Sequence, residues 1–326
     1  MAKKGCKDLP DECWELIFNK LHRRHHSLLE SLSLSCKRFL SLTNALRTHL
    51  TIVDPRVHPV STLLNRFPNL NSIHLSCSCD GDTFDQCSFT PHLTLEPLDL
   101  QRMTIEVAAA NLNLDSLSFS GTQPHLESLR VLGSRMKNLK VLMSSQLRTL
   151  RDLELLAIAD SMPCLEDLDI SYPGITEEGI ADFLKSGSKI RKLSIVGCGG
   201  IKNIGNGFEL SDLEILGAAR SGINDEGLVV IGNRCRRLLH LNLDGCLGVT
   251  TIGLKEILTN CERLREINLT RCLNVCTETI DWMIFSRPSL RKINLSYSCL
   301  PSEESQRKLF LHHGCLVMSD ESAEES

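Results

Sequence analysis

The second half of the sequence repeats one short pattern at a nearly constant interval, and this repeat limits the possible folds more than any other feature. The pattern reads apolar-x-x-apolar-x-apolar, and three copies start at Leu238, Leu264 and Leu290, a period of 26 residues. Such a chain folds as a stack of similar units, because one unit alone cannot bury its apolar side. Earlier copies, at steps of 23 to 26 residues and with one longer gap of 44 residues, start at Leu213, Ile190, Leu165, Leu139, Leu114 and Leu70.

Each unit is predicted to contain a short strand followed by a helix. Within the pattern, apolar residues alternate with others, which is typical of a strand that buries one face. The segments after the strands contain Thr176, Asn224 and Thr250, whose side-chain oxygens can cap the first free N–H groups of a helix. The sequence therefore predicts an α/β stack, and the longer gap before Leu114 leaves room for one irregular unit.

The 15 cysteines fit the interior of such a stack better than they fit disulfides or a metal site. No apolar segment of the signal-peptide type follows Met1, and no apolar run reaches the length of a membrane span, so we expect neither. In a reducing compartment cysteines stay free thiols. Because they recur in phase with the pattern, we expect buried thiols, without disulfide or metal, at Cys198, Cys235, Cys246, Cys261 and Cys272.

The stretch 77–113 fits the repeat least well. Its cysteines and nearby histidines are residue types that bind zinc, but their spacing matches no zinc motif. We therefore expect an irregular polar loop without a metal. The residues concerned are His74, Cys77, Cys79, Cys87 and His92.

Residues 1–50 lack the repeat and predict a small helical bundle instead. Leu9-Pro10-Asp11-Glu12 is typical of a helix start, with proline early and acids in the first turn. A second apolar helix is predicted over about 28–34, and a third region holds Cys36-Lys37-Arg38-Phe39-Leu40. A bundle of this size buries little surface by itself. We therefore expect it to pack on the stack of repeat units, on a partner, or on both. The first helix carries one apolar stripe, formed by Trp14, Ile17, Phe18 and Leu21.

The C-terminal end is predicted to close the stack and then to become disordered. Ser302-Glu303-Glu304-Ser305 is typical of the start of a last helix that caps the solenoid. The end of the chain is acidic and has few apolar residues, which is typical of disorder. The predicted organisation is therefore a helical module over 1–50, a solenoid over 51–315 with irregular early repeats, and an acidic tail over 316–326.

Both parts of the chain resemble F-box/leucine-rich-repeat proteins. The repeat with its in-phase cysteines is similar to the cysteine-containing class of leucine-rich repeats, and the segment 50–75 resembles plant members in particular. The resemblance implies an N-terminal helical F-box followed by a right-handed α/β solenoid, a horseshoe of about nine or ten units. Residues 1–50 resemble the F-box at Leu9-Pro10-Asp11-Glu12, Ile17-Phe18, Leu21 and Cys36-Lys37-Arg38-Phe39.

The resemblance also implies a function. Members of this family bind a Skp-type adaptor through the F-box and a protein target through the repeats, and the adaptor links them to a cullin scaffold of a ubiquitin ligase. This implies a non-catalytic subunit without a cofactor, in the cytoplasm or the nucleus, and its target cannot be named from the sequence. The residues carried over to adaptor binding are Leu9, Pro10, Ile17, Phe18, Leu21, Cys36, Lys37 and Phe39, the last standing where the family usually has Trp.

The predicted target-binding surface is the row of outward strand positions in the last repeats. Alternation places these side chains on one continuous face, which is polar and mostly neutral. The structure of a solenoid puts this face on the concave side. The residues assigned to it are His240, Asn242 and Asp244, then Glu266, Asn268 and Thr270, and then Lys292, Asn294 and Ser296.

Two other functions agree with the same sequence. The chain could be an interaction protein that binds the adaptor without ligase assembly, or a small-molecule co-receptor. An enzyme is not expected, because no catalytic motif stands in a suitable strand–turn–helix context. A formal net charge of −4 argues against nucleic-acid binding through a broad basic surface.

Overall fold

The strands form one parallel sheet in chain order. The computed structural model describes residues 9–22, 28–53, 60–76, 102, 105–107, 109–110, 112–120, 126–145, 150–171, 174–186, 189–205, 207–296 and 302–319. Its eleven strands each pair with the next one along the chain. They are β1 (His49–Val53), β2 (Ser72–Ser76), β3 (Ser116–Ser120), β4 (Val141–Ser145), β5 (Asp167–Asp169), β6 (Lys192–Ser194), β7 (Ile215–Gly217), β8 (His240–Asn242), β9 (Glu266–Asn268), β10 (Lys292–Leu295) and β11 (Leu316–Ser319).

Helices precede the sheet and follow most of its strands. The first three lie before β1, and the others return the chain from one strand to the next. The fold is therefore an α/β solenoid, as the repeat predicts. The helices are α1 (Asp11–His22), α2 (Leu28–Ser33), α3 (Lys37–Leu46), α4 (Val60–Arg66), α5 (Leu126–Arg135), α6 (Asp152–Ser161), α7 (Glu177–Lys185), α8 (Asp225–Arg234), α9 (Thr251–Asn260), α10 (Thr277–Ser286) and α11 (Glu303–His313).

The repeat pattern places every strand from β2 to β10 correctly. Each of these strands begins two residues after the first apolar residue of its pattern. The register aligns the central apolar residue of one strand with that of the next, as in the pairs Leu168–Leu193 and Leu241–Ile267. These four side chains are buried. The alternation in the sequence therefore translates directly into one continuous aliphatic core.

The predicted irregular unit before Leu114 is not inserted into the sheet. Strand β2 is hydrogen-bonded directly to β3, with Ser72 opposite Ser116. The 44-residue gap therefore adds no strand between β2 and β3. Within it Val107 is buried, and Glu106 accepts a hydrogen bond from the main-chain N–H of Ser61 at 3.0 Å. The predicted polar loop, with Cys77, Cys79, Cys87 and His92, lies outside the described residues.

The sheet extends past both predicted boundaries of the solenoid. Strand β1 begins before residue 51, and β11 lies within the segment 316–326 that was predicted to be disordered. That prediction is wrong for 316–319, because Leu316-Val317-Met318 is a continuous apolar run that lacks the repeat pattern. The predicted last helix is present as α11, but it leads into β11 and does not end the solenoid.

The predicted helix caps are present. The side chain of Thr176 accepts a hydrogen bond from the N–H of Gly179 at 3.1 Å, and Asn224 accepts one from Gly227 at 3.0 Å. Thr250 caps α9 in the same way. These bonds satisfy main-chain donors that have no partner within the helix.

Acids in the first turn of a helix also bind the next unit. The carboxylate of Asp152 accepts hydrogen bonds from the N–H and hydroxyl of Thr176, at 2.9 and 2.8 Å. Asp225 accepts the equivalent pair from Thr250, at 2.8 and 2.6 Å. Each carboxylate therefore stabilises its own helix start and holds the capping residue of the following helix.

The in-phase cysteines are core residues, as predicted. Cys198, Cys235, Cys246, Cys261 and Cys272 are all buried. The thiol of Cys246 donates to the carbonyl oxygen of Ala218 at 3.0 Å, and that of Cys272 donates to Leu243 at 3.1 Å. Both acceptors belong to the preceding unit, so these thiols satisfy carbonyl groups between units as well as filling space.

Burial makes these thiols unreactive, which gives a first prediction. Loss of hydration raises the pKa of Cys261 to about 12, and burial also raises the pKa of Cys235 and Cys246. Because the thiolate is the nucleophile, we expect iodoacetamide at pH 8 to leave these three residues unmodified in the folded protein. Peptide mass spectrometry will detect rapid alkylation of the exposed thiols Cys13, Cys36, Cys164 and Cys276. Alkylation of Cys261 in the folded protein at the same rate as Cys164 would contradict its burial. The urea-unfolded chain is the control, in which all these thiols should be alkylated.

Candidate functional site

The outward face of the sheet carries a shallow cavity over its C-terminal half. The cavity has a volume of about 290 Å³ and extends from Gly217 of β7 to Asn294 of β10. Gly217 leaves this space open, because the residues at the same register in the neighbouring strands, Ser194 and Asn242, have side chains. The cavity lies on the face predicted to bind the target.

The first outward residues of β8, β9 and β10 carry charged or ionisable side chains, whereas that of β7 is Ile215. His240 Nδ1 lies 3.4 Å from Glu266 Oε2, and Lys292 stands next to Glu266 in the register. Apolar side chains occur towards the ends of the face, at Met143 and at Leu316, both exposed. The predicted polar character therefore holds for β8 to β10, and apolar side chains flank these strands at Ile215 and Leu316.

Asp244, Thr270 and Ser296 were each predicted to be the third outward residue of a strand. Two of them, Asp244 and Thr270, are not exposed. Only 9% of Asp244 and 5% of Thr270 is accessible to solvent. The strands end at Asn242 and Asn268, so the alternation stops there and the chain turns inward. Asp244 instead accepts two hydrogen bonds from the guanidinium of Arg271, at 2.8 and 2.5 Å. The prediction that these two residues lie open on the face is wrong.

Asn242 and Asn268, the last residues of β8 and β9, stabilise the turns that follow these strands. Asn242 Oδ1 accepts from the N–H of Asp244, and Asn268 Oδ1 accepts from the N–H of Thr270, both at 3.0 Å. This bond to the residue two positions on is an Asx turn. The carbonyl ends of these side chains are therefore engaged, and any partner on this face meets their amide groups.

The N-terminal helices form a separate small core. Phe18, Leu29 and Leu42 are buried there, one from each of α1, α2 and α3. The rings of Trp14, Phe18 and Phe39 pack on one another with centroids 4.8 to 5.6 Å apart. Phe39 stands at the position where the family that this segment resembles usually has Trp. Its ring completes an aromatic cluster.

Helix α1 has a second apolar stripe, which faces solvent. Trp14, Phe18 and Leu21 face the core, whereas 67% of Leu16 and 39% of Ile17 is exposed. At about 100° per residue, the exposed stripe lies roughly 120° around the helix from the buried one. The single stripe predicted from the sequence was wrong in this respect, since it combined Ile17 with the core residues and omitted Leu16. Leu9, which precedes the helix, and Cys13 continue the exposed stripe.

Arg38 fixes the chain entry to this helix. Its guanidinium donates to Asp11 Oδ1 at 2.7 Å and to the main-chain oxygen of Leu9 at 2.6 Å. The Leu9-Pro10 segment is therefore held against α3. Arg38 belongs to the segment Cys36-Lys37-Arg38-Phe39, but its role follows only from the folded arrangement.

The eight residues assigned to adaptor binding divide into two groups. One group lies in or against the core of the three helices, and it comprises Phe18, Leu21 and Phe39. The side chain of Cys36 is exposed but caps α3 by accepting from the N–H of Phe39 at 3.4 Å. The exposed residues are Leu9, Pro10, Ile17, Cys36 and Lys37.

The helical module is joined to the first unit of the solenoid by direct contacts. Arg66 Nε donates to Asn44 Oδ1 at 3.3 Å, and Asn69 donates to the carbonyl of Ala45 at 2.8 Å. The guanidiniums of Arg47 and Arg66 lie 5.7 and 5.4 Å from the ring of Phe67. The module and the sheet are therefore parts of one packed structure at this junction.

Within the described ranges, no helix is long and apolar enough to cross a membrane. In the same part of the chain, no group of three or more His, Cys, Asp or Glu residues is arranged to hold a metal ion.

The solenoid is shared with a protein of known structure. No protein-family model matches the chain. The crystal structure of the yeast complex of Rad7 and Elc1 contains a similar chain, with a TM-score of 0.54 and 15% sequence identity. The match covers 96% of this chain and 90% of that one. The likeness, together with the repeat and the sheet order, shows that the fold is an α/β solenoid of the leucine-rich-repeat type.

Proposed function

We propose that this chain is the substrate-recognition subunit of a Skp–cullin–F-box ubiquitin ligase. The observation that carries the proposal is the exposed apolar stripe of α1 on a helix whose other apolar stripe is already buried in the N-terminal core. A stripe that the chain itself does not cover is typical of a helix that packs on a partner. The partner proposed from the resemblance is a Skp-type adaptor, which links the chain to a cullin.

In this proposal the N-terminal residues have two roles. Leu9, Pro10, Ile17, Cys36 and Lys37 are exposed and contact the adaptor, together with Leu16. Phe18, Leu21 and Phe39 act indirectly, because they hold the three helices in the arrangement that presents this surface. The presence of a similar fold in the complex of Rad7 with Elc1 supports a role in which a second protein is bound.

The sheet face is proposed to hold the target. Its cavity lies beside His240, Asn242, Glu266, Asn268, Lys292 and Asn294. Asp244 and Thr270 support this surface from below, and Ser296 lies at its edge, where it accepts from the N–H of Arg271 at 2.6 Å. The chain supplies no reacting group. It acts by holding the target near the ubiquitin-loaded enzyme, which raises the effective concentration of the target.

Affinity purification of the full chain from cells, followed by mass spectrometry, tests the proposal. Recovery of a Skp-type adaptor together with a cullin is expected, from the cytoplasm or the nucleus. Recovery of the adaptor without a cullin would favour an interaction protein that does not assemble a ligase. Recovery of neither would refute the proposal.

The sheet face yields a second prediction. Gly217→Arg will place a long side chain in the cavity and will remove the target from the purified complex. The adaptor will be retained, because Gly217 is remote in sequence from the helical module and its backbone does not have a positive φ. Quantitative mass spectrometry of the co-purified proteins measures both effects. Gly217→Ala is the control, since its methyl group would meet Ser194 at an ordinary contact distance of 3.4 Å. Unchanged target recovery with Gly217→Arg would place the target elsewhere.

A further inference from the structure

The sheet ends at β11 with an edge that the described part of the chain leaves unpaired. Strand β11 pairs with β10 on one side, and no other described strand lies on its opposite side. The main-chain N–H of Leu316 donates to the carbonyl of Arg291 at 2.8 Å, so this N–H points towards β10. Because successive residues of a strand direct these groups to opposite sides, the N–H and C=O of Val317 point to the open edge. The edge therefore offers main-chain donors and acceptors to a further strand.

The side chains of β11 do not protect this edge from pairing. Edge strands are commonly kept apart from other chains by charged residues or proline. Strand β11 reads Leu316-Val317-Met318-Ser319 and has neither. The exposed fractions of Leu316 and Met318 are 44% and 42%, and Val317 is only partly buried against the end of the core. A further strand at this edge would shield all three apolar side chains from water.

Strand β11 is complementary to a second copy of itself. In an antiparallel pair with a twofold axis at Val317, the two valines stand opposite each other and exchange main-chain hydrogen bonds. Leu316 of each chain then stands opposite Met318 of the other, on the outward face of the sheet, so these side-chain pairs are apolar. The pairing uses the open edge of both chains, and the assembly therefore closes at two copies.

The distribution of charge around β11 also favours a second copy as the occupant. The segment 306–315, before the strand, has four basic residues and no acid, and the segment 320–326, after it, has four acids and no base. In an antiparallel pair, the segment that follows one strand lies beside the segment that precedes the other. The basic residues include His312 and His313 in the last turn of α11, where the helix dipole favours positive charge.

The acidic segment is unsuited to cover β11 of its own chain, because Ala323 is its one apolar residue. We propose that β11 pairs in an antiparallel manner with β11 of a second copy of this chain. The dimer joins the two solenoids through one continuous sheet, with both outward faces on the same side and the two helical modules at opposite ends.

Sedimentation velocity of the full chain in reducing buffer, at concentrations reaching about 100 μM, tests this proposal. The wild-type chain is expected to convert reversibly from monomer to dimer. Leu316→Lys with Met318→Lys places like charges opposite each other across the twofold axis and should weaken the dimer about tenfold or more. Leu316→Lys with Met318→Glu is the matched control. It changes the same two exposed residues but places opposite charges across the axis, so the dimer should be retained.

Four results would overturn the proposal. The first is a wild-type chain that stays monomeric over the whole range, and the second is growth beyond the dimer. The third is wild-type dimerisation of the variant with two lysines, which would place the contact elsewhere. The fourth is equal weakening in both variants, which would contradict the pairing of Leu316 with Met318. Thermal unfolding of each variant checks that the chain is folded, and none of these readouts depends on an adaptor or a target.

Discussion

Replacing Leu16 and Ile17 with aspartate is expected to abolish co-purification of the Skp-type adaptor. Both side chains belong to the exposed stripe of α1 and do not contribute to the N-terminal core. Apolar anchors at the centre of an interface commonly contribute about 2 kcal/mol or more each, and a buried unpaired carboxylate adds a further penalty. The affinity should therefore fall by more than about 100-fold, which a pull-down with purified adaptor measures.

The structure provides matched variants for this experiment. Leu153→Asp changes an equally exposed leucine on α6, of which 69% is accessible, and should leave adaptor binding unchanged. Phe18→Asp should also abolish binding, but by unfolding the three helices, and loss of helical circular dichroism would reveal this difference. Normal adaptor recovery with the Leu16 and Ile17 variant would mean that the exposed stripe is not the binding surface.

Gly227→Ala is expected to destabilise the protein, although helix propensity alone predicts the opposite. Alanine within a helix is favoured over glycine by about 1 kcal/mol. Gly227 lies in the first turn of α8, however, and a Cβ atom there would collide with the carbonyl oxygen of Lys202 in the preceding unit. Because that oxygen is main chain, the units would have to move apart. We expect a loss of about 3 kcal/mol in the free energy of unfolding, measured by urea denaturation.

Gly200→Ala is the matched control. A Cβ atom at this position would meet nothing within 4 Å, so its effect should lie within about 0.5 kcal/mol of zero. The sign of the Gly227 effect is decisive. Stabilisation would show that neighbouring units are not packed as closely as the Lys202 carbonyl indicates.

The sequence period predicted those strands in which apolar residues recur at the same positions of every repeat. The strands from β2 to β10 were found in this way, because each buries two or three aliphatic residues at fixed spacing. Strand β11 was missed since Leu316-Val317-Met318 has no alternation, and its place in the sheet comes from pairing with β10. For the 44-residue gap, spacing predicted an irregular unit but not whether that unit adds a strand, and the direct pairing of β2 with β3 shows that it adds none between them.

The candidate sites were predicted less completely, for two physical reasons. Alternation assigned Asp244 and Thr270 to the open face, but alternation ends where the strand ends, and the turn then buries them. On α1, one apolar stripe was expected where there are two, since a helix that packs on its own core and on a partner carries both. Helical spacing could have separated Leu16 from Phe18, and doing so would have identified the exposed surface.

The bonds between units also bear on how the protein can change in length. Asp152 binds Thr176, and Asp225 binds Thr250, at separations of 24 and 25 residues, close to one period. Asp152 and Asp225 thus each offer a carboxylate to the following unit, which supplies a hydroxyl and an N–H. Duplication of the whole stretch from Asp225 to Thr250 would repeat both partners of this link, so each copy of the carboxylate would meet a copy of the threonine. Gain of this repeat is therefore chemically conservative, and it would extend the sheet face without altering the helical module at the other end.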